Sequence, residues 1–204
     1  KNQIPLEGWS VDIRIGVDGC QKTAGILRKN KIPFYYSDKN VGAYIMRNSL
    51  MAVSPADCYA IFDADDVMFP EYLCKSLQGN HDAVMTAKIN CNENLKPIQV
   101  ARIEKGGAIT FTHGVLERVG GFYGVRCAAD TDFMYRCIDA GFEIFEIKEP
   151  LYYRRRHSGS LTKKSDTRIG SHYRKKVWRD MCEKREQGII KIKPTVIPLK
   201  KIDF

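Results

Sequence analysis

Apolar and polar residues alternate along several short stretches of the chain, which is the period-two pattern of half-buried β-strands. The cleanest alternation runs from Val11 to Val17 and predicts a strand there. Shorter apolar runs predict strands at 34–36, 59–62, 108–111 and 143–147, and a further apolar stretch lies at 83–85.

Helical spacing separates these strands. In 43–53 the apolar residues Met46, Leu50 and Val53 share one face, and Pro55 ends the helix. Other helices are predicted at 23–30, 71–78, 113–119, from 129 onward and at 170–187. Because strands and helices alternate over the first part of the chain, we predict an α/β fold with a mostly parallel central sheet flanked by helices. The second half is less regular and resembles α+β additions to such a sheet.

The composition is that of a globular protein. The 204 residues suffice for one α/β domain, and 44% hydrophobic with 28% charged residues is ordinary for it. No stretch has the roughly 18–20 apolar residues that cross a bilayer, and no signal peptide is visible at the start. Seven scattered cysteines without a CxxC pair favour reduced thiols, a cytoplasmic protein (soluble or peripheral at a membrane) and no zinc site.

The formal net charge is +9, and the excess is concentrated late in the chain. Basic clusters lie at 154–156, 163–164, 174–176, 184–185, 191–193 and 200–201. Such a surface can attract phosphorylated ligands, anionic membranes or nucleic acid. For 174–185 we favour a solvated helix face, so nucleic acid is not expected, whereas peripheral membrane contact through the basic tail stays open. We interpret 163–204 as a basic C-terminal helix and an extended tail.

Three carboxylates follow one apolar strand directly, in the sequence FDADD (62–66). Strand side chains alternate between faces, so Asp63 and Asp65 project to one side and Asp66 to the other. Two neighbouring carboxylates repel each other unless a cation lies between them, and all-oxygen ligation suits Mg²⁺ or Mn²⁺. A solvated acidic turn is the competing interpretation. Asp66 either supports the site from outside or caps the next helix.

Six segments, taken in order, resemble the motifs of GT-A fold glycosyltransferases, especially the family-2-like, inverting group with a DXD motif. They are NQ (2–3) with Trp9 and the 11–17 strand, NVG (40–42) with RN (47–48), FDADD with Pro70, VGGF (119–122), ADTDF (129–133) with Arg136 and Gly141, and YYRRRHSGS (152–160). Each motif alone is weak, but their number and order make the resemblance specific over most of the chain.

The resemblance implies a GT-A, Rossmann-like domain over 1–162. In it, 1–105 would bind the nucleotide sugar and 106–162 would hold the acceptor and catalytic residues. Family members begin with a strand, a nucleotide-contacting loop and a helix, and this sequence starts near the end of that helix. We therefore expect upstream residues in the natural protein, because a sheet without its first strand leaves an unpaired edge.

The resemblance also implies an activity and a set of donor contacts. The reaction would move a sugar from a nucleotide diphosphate sugar, with a UDP-sugar favoured, to a hydroxyl of a glycan or another acceptor. Asp18 would accept a hydrogen bond from the base, although an Asx turn would also explain it. Asp63 would lie near the ribose and the metal, and Asp65 would bind the metal, Mn²⁺ or Mg²⁺. Arg47 would lie beside the donor.

The basic segment 152–157 receives a role at the diphosphate. Arg154 and Arg156 would line the phosphates, because guanidinium groups match phosphate oxygens. His157 would complete the metal's ligands. Tyr152 would begin a lid that orders when the donor binds, and a solvated basic loop is the alternative.

A general base is implied at the start of the helix that follows 128. Asp130 would take the proton of the acceptor hydroxyl, and direct attack would invert the anomeric configuration. Asp130 could instead be an N-cap, and Asp132 could exchange roles with it. The family usually has an acidic residue where this chain has Ala129, so altered acceptor geometry or a retaining mechanism stays open.

Two other functions are compatible with parts of the sequence. A sugar nucleotidyltransferase would need a Gly-rich basic phosphate loop, and 18–22 is a poor version of one. A non-catalytic nucleic-acid or glycan-binding module could use the basic tail, but Tyr152, Tyr153 and Tyr173 are too scattered for a stacking platform.

Overall fold

The computed structural model describes residues 3–99, 103–104 and 106–204, and strands alternate with helices over its first half. The strands are β1 (Gly16–Asp18), β2 (Phe34–Ser37), β3 (Cys58–Ile61), β4 (Val67–Met68), β5 (Ala83–Cys91), β6 (Ile109–Thr112), β7 (Ile144–Arg155) and β8 (Lys200–Ile202). The helices are α1 (Gln21–Lys29), α2 (Ala43–Val53), α3 (Tyr72–Leu77), α4 (His113–Val119), α5 (Ala129–Asp139) and α6 (His172–Glu186). The predicted helices 43–53 and 113–119 are confirmed at both ends.

The strands form two mixed sheets. The smaller has the order β1-β2-β8, with β1 parallel and β8 antiparallel to β2. The larger has the order β3-β6-β5-β7-β4, and among the described residues β5 and β7 are its one parallel pair. The prediction of a mostly parallel sheet is therefore wrong. Alternating strands and helices indicate crossovers, but they do not say which strands become neighbours, and β6 here lies antiparallel between β3 and β5.

The prediction of a strand at 11–17 is wrong for most of these residues. Val11 and Ile13 are 60% and 66% exposed, and β1 begins only at Gly16. The neighbouring strand β2 begins directly after Pro33, which has no N–H to donate to a ladder. Ile15 O still accepts from Tyr35 N–H of β2 at 2.8 Å, but Val11 and Ile13 lie outside the strands of the part of the chain that the structure describes.

Strand β7 is longer than the sequence predicts. The expected strand ends at Ile147, but β7 continues through Pro150 to Arg155 beside β5. The ladder changes register on either side of Ala87, the residue opposite Pro150. This irregularity accommodates a residue that cannot donate a ladder hydrogen bond.

The main core lies between the larger sheet and helices α2, α4 and α5. Phe133 of α5 is fully buried, and its ring centroid lies 4.8 Å from those of Phe111 and Phe122. Burying a side chain of this size contributes about 2–3 kcal/mol. This packing fixes α5 against the sheet, and the acidic first turn of α5 is fixed with it.

Both ends of the described chain pack onto the body. The Gln3 side chain donates to Phe69 O at 2.8 Å and accepts from Leu73 N–H at 3.0 Å, whereas its neighbour in the NQ motif, Asn2, lies outside the described residues. After α6 the chain is extended as predicted, with β8 as an addition. On its way Ile197 N–H donates to the Ser49 hydroxyl at 2.9 Å. No described helix is long and apolar enough to cross a membrane.

Candidate functional site

The acidic turn between β3 and β4 is fixed from behind by Asp66. Its carboxylate accepts a hydrogen bond from Arg155 N–H of β7 at 2.9 Å, and its own N–H donates to Asp63 O at 3.2 Å. Burial, together with a smaller contribution from the nearby carboxylates of Asp63 and Asp65, raises the pKa of Asp66 to about 7. Asp66 thus faces the protein, and its bond to β7 replaces the helix-capping role that the sequence left open.

Asp63 lies at the front of the turn and forms an ion pair with Arg47 of α2. The Arg47 guanidinium lies 5.3 Å from the ring centroid of Tyr44 and 5.9 Å from that of Phe122. Aromatic faces attract a cation, so the arginine is held in one place by its neighbours. The Asp63 side chain remains 46% exposed, which leaves it accessible to a ligand.

Asp65 and His157 are brought together across 92 positions of sequence. His157 Nε2 lies 2.9 Å from Asp65 Oδ2, and both side chains are partly exposed. Among the described residues no group of three or more His, Cys, Asp and Glu side chains is placed to hold a metal. A carboxylate and an imidazole nevertheless fit an ion such as Mn²⁺ or Mg²⁺, which usually keeps waters and phosphate oxygens as its other ligands.

Asp18 ends β1 and holds the loop that leads into α2. Its two carboxylate oxygens accept hydrogen bonds from Val41 N–H at 2.6 Å and from Gly42 N–H at 2.8 Å. These partners belong to another loop, so the bonds are not those of a local Asx turn. A Cβ on Gly19 would lie 2.6 Å from Asn40 N, and glycine is therefore required where the two loops meet.

Asp130 lies in the first turn of α5, and both of its oxygens have partners. Oδ1 accepts from the Tyr44 hydroxyl and Oδ2 from Gly107 N–H, each at 2.8 Å. Burial, followed by the negative charge of Asp130, raises the pKa of Tyr44 well above its usual value. The N-cap position of α5 is Ala128, so Asp130 is not the N-cap. Each carboxylate oxygen keeps a second lone pair for a further donor.

Asp132 has a different environment, although it is only two residues away. It is fully buried, and Arg136 Nε donates to it at 2.7 Å while Arg185 Nε lies 3.3 Å from it. Arg136 also donates to Val119 O and Gly121 O, at 2.6 and 2.7 Å. An acceptor hydroxyl cannot reach this carboxylate, so the exchange of roles between Asp130 and Asp132 is excluded.

The basic segment is only partly the loop that the sequence predicts. Tyr152 belongs to β7 and is 2% exposed, with its ring packed edge-on against Phe62, so it does not begin a lid. Arg154 is half-buried, and its Nη1 lies 3.4 Å from Glu104 Oε2. Arg156 donates its backbone N–H to Cys91 O at 2.8 Å, directly before the turn that carries His157.

Two residues of the candidate site, Lys88 and Tyr44, were not predicted from the sequence. Lys88 of β5 is 2% exposed, and its Nζ lies 3.1 Å from Glu104 Oε2 and 3.5 Å from Gly106 O. Tyr44 joins the two halves of the site, because its hydroxyl bonds Asp130 while its ring lies under Arg47. No sequence signal distinguishes Tyr44 from the other apolar residues of α2, whereas a lysine inside an apolar strand could have been noticed.

Comparisons with known proteins support the fold. No family model matches the chain, and no curated protein matches it. Among solved structures, the mannosyltransferase PcManGT from Pyrobaculum calidifontis, in complex with GDP-Man and Mn²⁺, aligns with a TM-score of 0.52 and 13% identity, over 89% of this chain and 55% of that one. The chain thus spans about half the length of that protein.

A second solved structure is the catalytic domain of Drosophila β1,4-galactosyltransferase 7 in complex with xylobiose. It aligns over 79% of this chain and 76% of that one, with 14% identity and a TM-score of 0.45. At 13% identity, the similarity to the mannosyltransferase shows a similar fold and nothing more. The chain is an α/β protein with mixed sheets whose fold resembles that of the mannosyltransferase, and no family membership follows from the likeness.

Proposed function

We propose that this chain is the core of a metal-dependent glycosyltransferase that moves a sugar from a nucleotide diphosphate sugar to an acceptor hydroxyl. The supporting observation is a set of three contacts, two of them made by residues of α2 and the third by the acidic turn that α2 contacts through Asp63. They are the ion pair of Asp63 with Arg47, the contact of Asp65 with His157, and the hydrogen bond from Tyr44 to Asp130. The GT-A-like fold of the chain agrees with this function.

In this proposal the acidic turn and His157 would hold Mn²⁺ or Mg²⁺ beside the donor's diphosphate. Asp65 and His157 are the protein ligands, and Asp63 lies beside the ribose and the ion. A bound metal would supply positive charge against the negative charge that develops on the leaving diphosphate. Arg154 lies in β7 and Arg156 directly follows the last residue of that strand, and their guanidinium groups bind phosphate oxygens.

Asp130 is the proposed general base. Tyr44 and Gly107 orient its carboxylate through one hydrogen bond to each oxygen, and a remaining lone pair takes the acceptor's proton. Attack of the hydroxyl on the anomeric carbon then breaks the bond to the diphosphate in a single displacement with inversion. The acceptor is a glycan or another hydroxyl compound.

Asp18 is the proposed contact to the base of the donor, for which we favour uracil. Its oxygens each accept one hydrogen bond, from Val41 N–H and from Gly42 N–H. Each oxygen has a second lone pair that these two hydrogen bonds do not use. A base N–H can therefore be accepted without losing the loop contacts. Mn²⁺ and GDP-Man bind to the mannosyltransferase of similar fold, so a GDP-sugar belongs in the same test.

The decisive experiment is a thermal-shift screen of UDP-, GDP- and dTDP-sugars with and without Mn²⁺. A ligand at about 100 times its Kd stabilises the native state by about 2.7 kcal/mol and raises the melting temperature. We expect a Mn²⁺-dependent shift with one nucleotide class, and its loss in Asp65→Asn. The matched control is Asp57→Asn, at an aspartate before β3 outside the site.

The result that would overturn the proposal is the absence of any Mn²⁺-dependent shift in the folded protein across all three nucleotide classes. An unchanged shift in Asp65→Asn would remove the metal role from this residue. Release of nucleoside diphosphate with a panel of sugar acceptors then tests transfer itself.

A further inference from the structure

The excess positive charge of the protein is almost entirely carried by residues 163–204. Residues 163–204 contain 13 Lys and Arg but 5 Asp and Glu, and so carry +8 of the net +9. Within this part, six basic side chains between 163 and 179 are exposed: Lys163, Lys164, Arg168, Lys175, Lys176 and Arg179. We call residues 161–179 the basic surface.

This surface also exposes apolar side chains among the cations. Ile169 is 76% exposed, the largest value among the exposed large hydrophobic residues of the described chain, and Leu161 is 40% exposed. Removing an apolar side chain from water is favourable. A side chain like Ile169 therefore gains free energy if a partner with an apolar interior covers it.

The loop that presents Ile169 is held in place by its own hydrogen bonds. Thr167 is fully buried; its hydroxyl donates to Leu161 O at 2.6 Å, and its carbonyl accepts from Arg174 Nε at 2.8 Å. The Ser171 hydroxyl donates to Asp166 O at 2.8 Å. The isoleucine thus projects from a loop fastened to the first turn of α6.

The acidic residues nearby do not neutralise the surface. Asp166 forms an ion pair with Arg126 of the body, and this pairing lowers the pKa of its carboxyl. The other acids of α6 are Asp180, Glu183 and Glu186, in the later turns of the helix. The positive charge of 163–179 is therefore left for an external partner.

We infer that the basic surface binds an anionic lipid bilayer, with the basic side chains on the head groups and Ile169 inserted between them. Each Lys or Arg near an anionic membrane contributes about 1 kcal/mol, and exposed apolar side chains add to this in interfacial anchors. Nucleic acid would also pair with the basic side chains, but it has no apolar interior that could cover Ile169. Exposed rings for base stacking are also few, because Tyr173 and Trp178 are half-buried.

This inference goes beyond the proposed function and does not depend on it. The surface follows directly in sequence after the turn that carries His157. A bilayer bound there would keep the protein at a membrane whether or not a sugar donor binds. Its test therefore contains no donor and no metal.

The test is flotation of the protein with vesicles of phosphatidylcholine alone and of phosphatidylcholine with about one third phosphatidylserine. We expect binding to the anionic vesicles only, and weaker binding as the salt concentration rises. The variant Lys163→Gln/Lys164→Gln/Arg168→Gln should bind at least tenfold more weakly. Its control with the same loss of charge, Lys29→Gln/Lys96→Gln/Lys148→Gln, changes exposed lysines elsewhere and should bind as the wild type does.

The apolar part of the inference has its own pair of variants. Ile169→Ser should weaken vesicle binding severalfold, whereas Ile13→Ser, at a side chain that is 66% exposed, should not. Equal loss of vesicle binding in the two triple variants, or unchanged binding of Ile169→Ser, would overturn the inference. So would binding to a DNA duplex at a salt concentration where the protein leaves the anionic vesicles, because nucleic acid would then be the favoured partner.

Discussion

Asp130 and Asp132 lie two residues apart on α5, and they represent two different regions of the molecule. Asp132 belongs to a closed cluster with Arg136 and Arg185, in which the aspartate and Arg136 have no exposed surface. Asp130 belongs to an open cluster in which the carboxylates of Asp63, Asp65 and Asp130 remain partly accessible. The same residue type thus forms a buried ion pair in one region and, in the proposed function, takes part in the reaction in the other, and access to solvent separates the two environments.

The largest expected effect on stability is in the closed cluster. Asp132→Asn leaves Arg136 buried without its counter-charge, and breaking a buried pair in this way costs about 3–5 kcal/mol. Chemical denaturation measures the free energy of unfolding. Asp139→Asn is the control on the same helix, because Asp139 is 37% exposed and lies 3.4 Å from Arg185. If the free energy of unfolding falls by less than about 1 kcal/mol in both variants, the buried ion pair is no more important for stability than an exposed one.

The open cluster should show the opposite pattern. Asp130→Asn keeps the shape of the side chain but cannot take a proton, so transfer should fall roughly 100- to 10,000-fold. The free energy of unfolding should change by only about 1 kcal/mol, the value of one hydrogen bond, and the donor-induced thermal shift should persist. Full turnover in Asp130→Asn would exclude it as the base.

A smaller effect should come from the residue that joins the two halves of the open cluster. Tyr44→Phe removes the hydroxyl that donates to Asp130, and we expect a loss of about 1 kcal/mol in stability together with slower transfer. Tyr36→Phe is the matched control, since its hydroxyl accepts from the Gln21 side chain at 2.6 Å, away from Asp130. Equal transfer rates in the two variants would argue against an orienting role for Tyr44.

The smallest effect concerns Lys88, which is buried like Asp132 but borders the open cluster. Burial lowers its pKa below 10.5, and the Arg154 charge lowers it further. At pH values between the folded-state pKa of Lys88 and 10.5, this lysine binds more protons in the unfolded chain than in the folded one. The free energy of unfolding therefore increases as the pH rises, by at most about 1.4 kcal/mol per pH unit. Lys88→Met should remove this alkaline gain in pH-dependent denaturation. The exposed Lys29→Met is its control, and identical slopes in the wild type and Lys88→Met would contradict the assignment.

Local patterns predicted the elements whose ends are set by local chemistry. Helix 43–53 begins after Gly42 and ends before Pro55, and both signals are in the sequence. The extension of β7 through Pro150 depends on a register change in β5. No short-range pattern contains that information, because it belongs to the partner strand.

The site was predicted less evenly than the fold. The alternation of strand side chains correctly placed Asp66 apart from its neighbours, since its carboxylate bonds Arg155 behind the turn. The pairing of Asp65 with His157 could be expected only from the resemblance, because 92 positions separate the two. The closed cluster was overlooked, although Asp132 and Arg136 have the i, i+4 spacing of a helical ion pair.

The pairing of β8 with β2 also has a consequence for how the protein is made. Phe34 faces Ile202 in that ladder, so β2 lacks this neighbour until the ribosome has reached residue 202. Until then one side of a buried strand is without its native partner, and contacts this distant in sequence are slow to form. The ladder between β2 and β8 is therefore expected to form only after residue 202 has been synthesised.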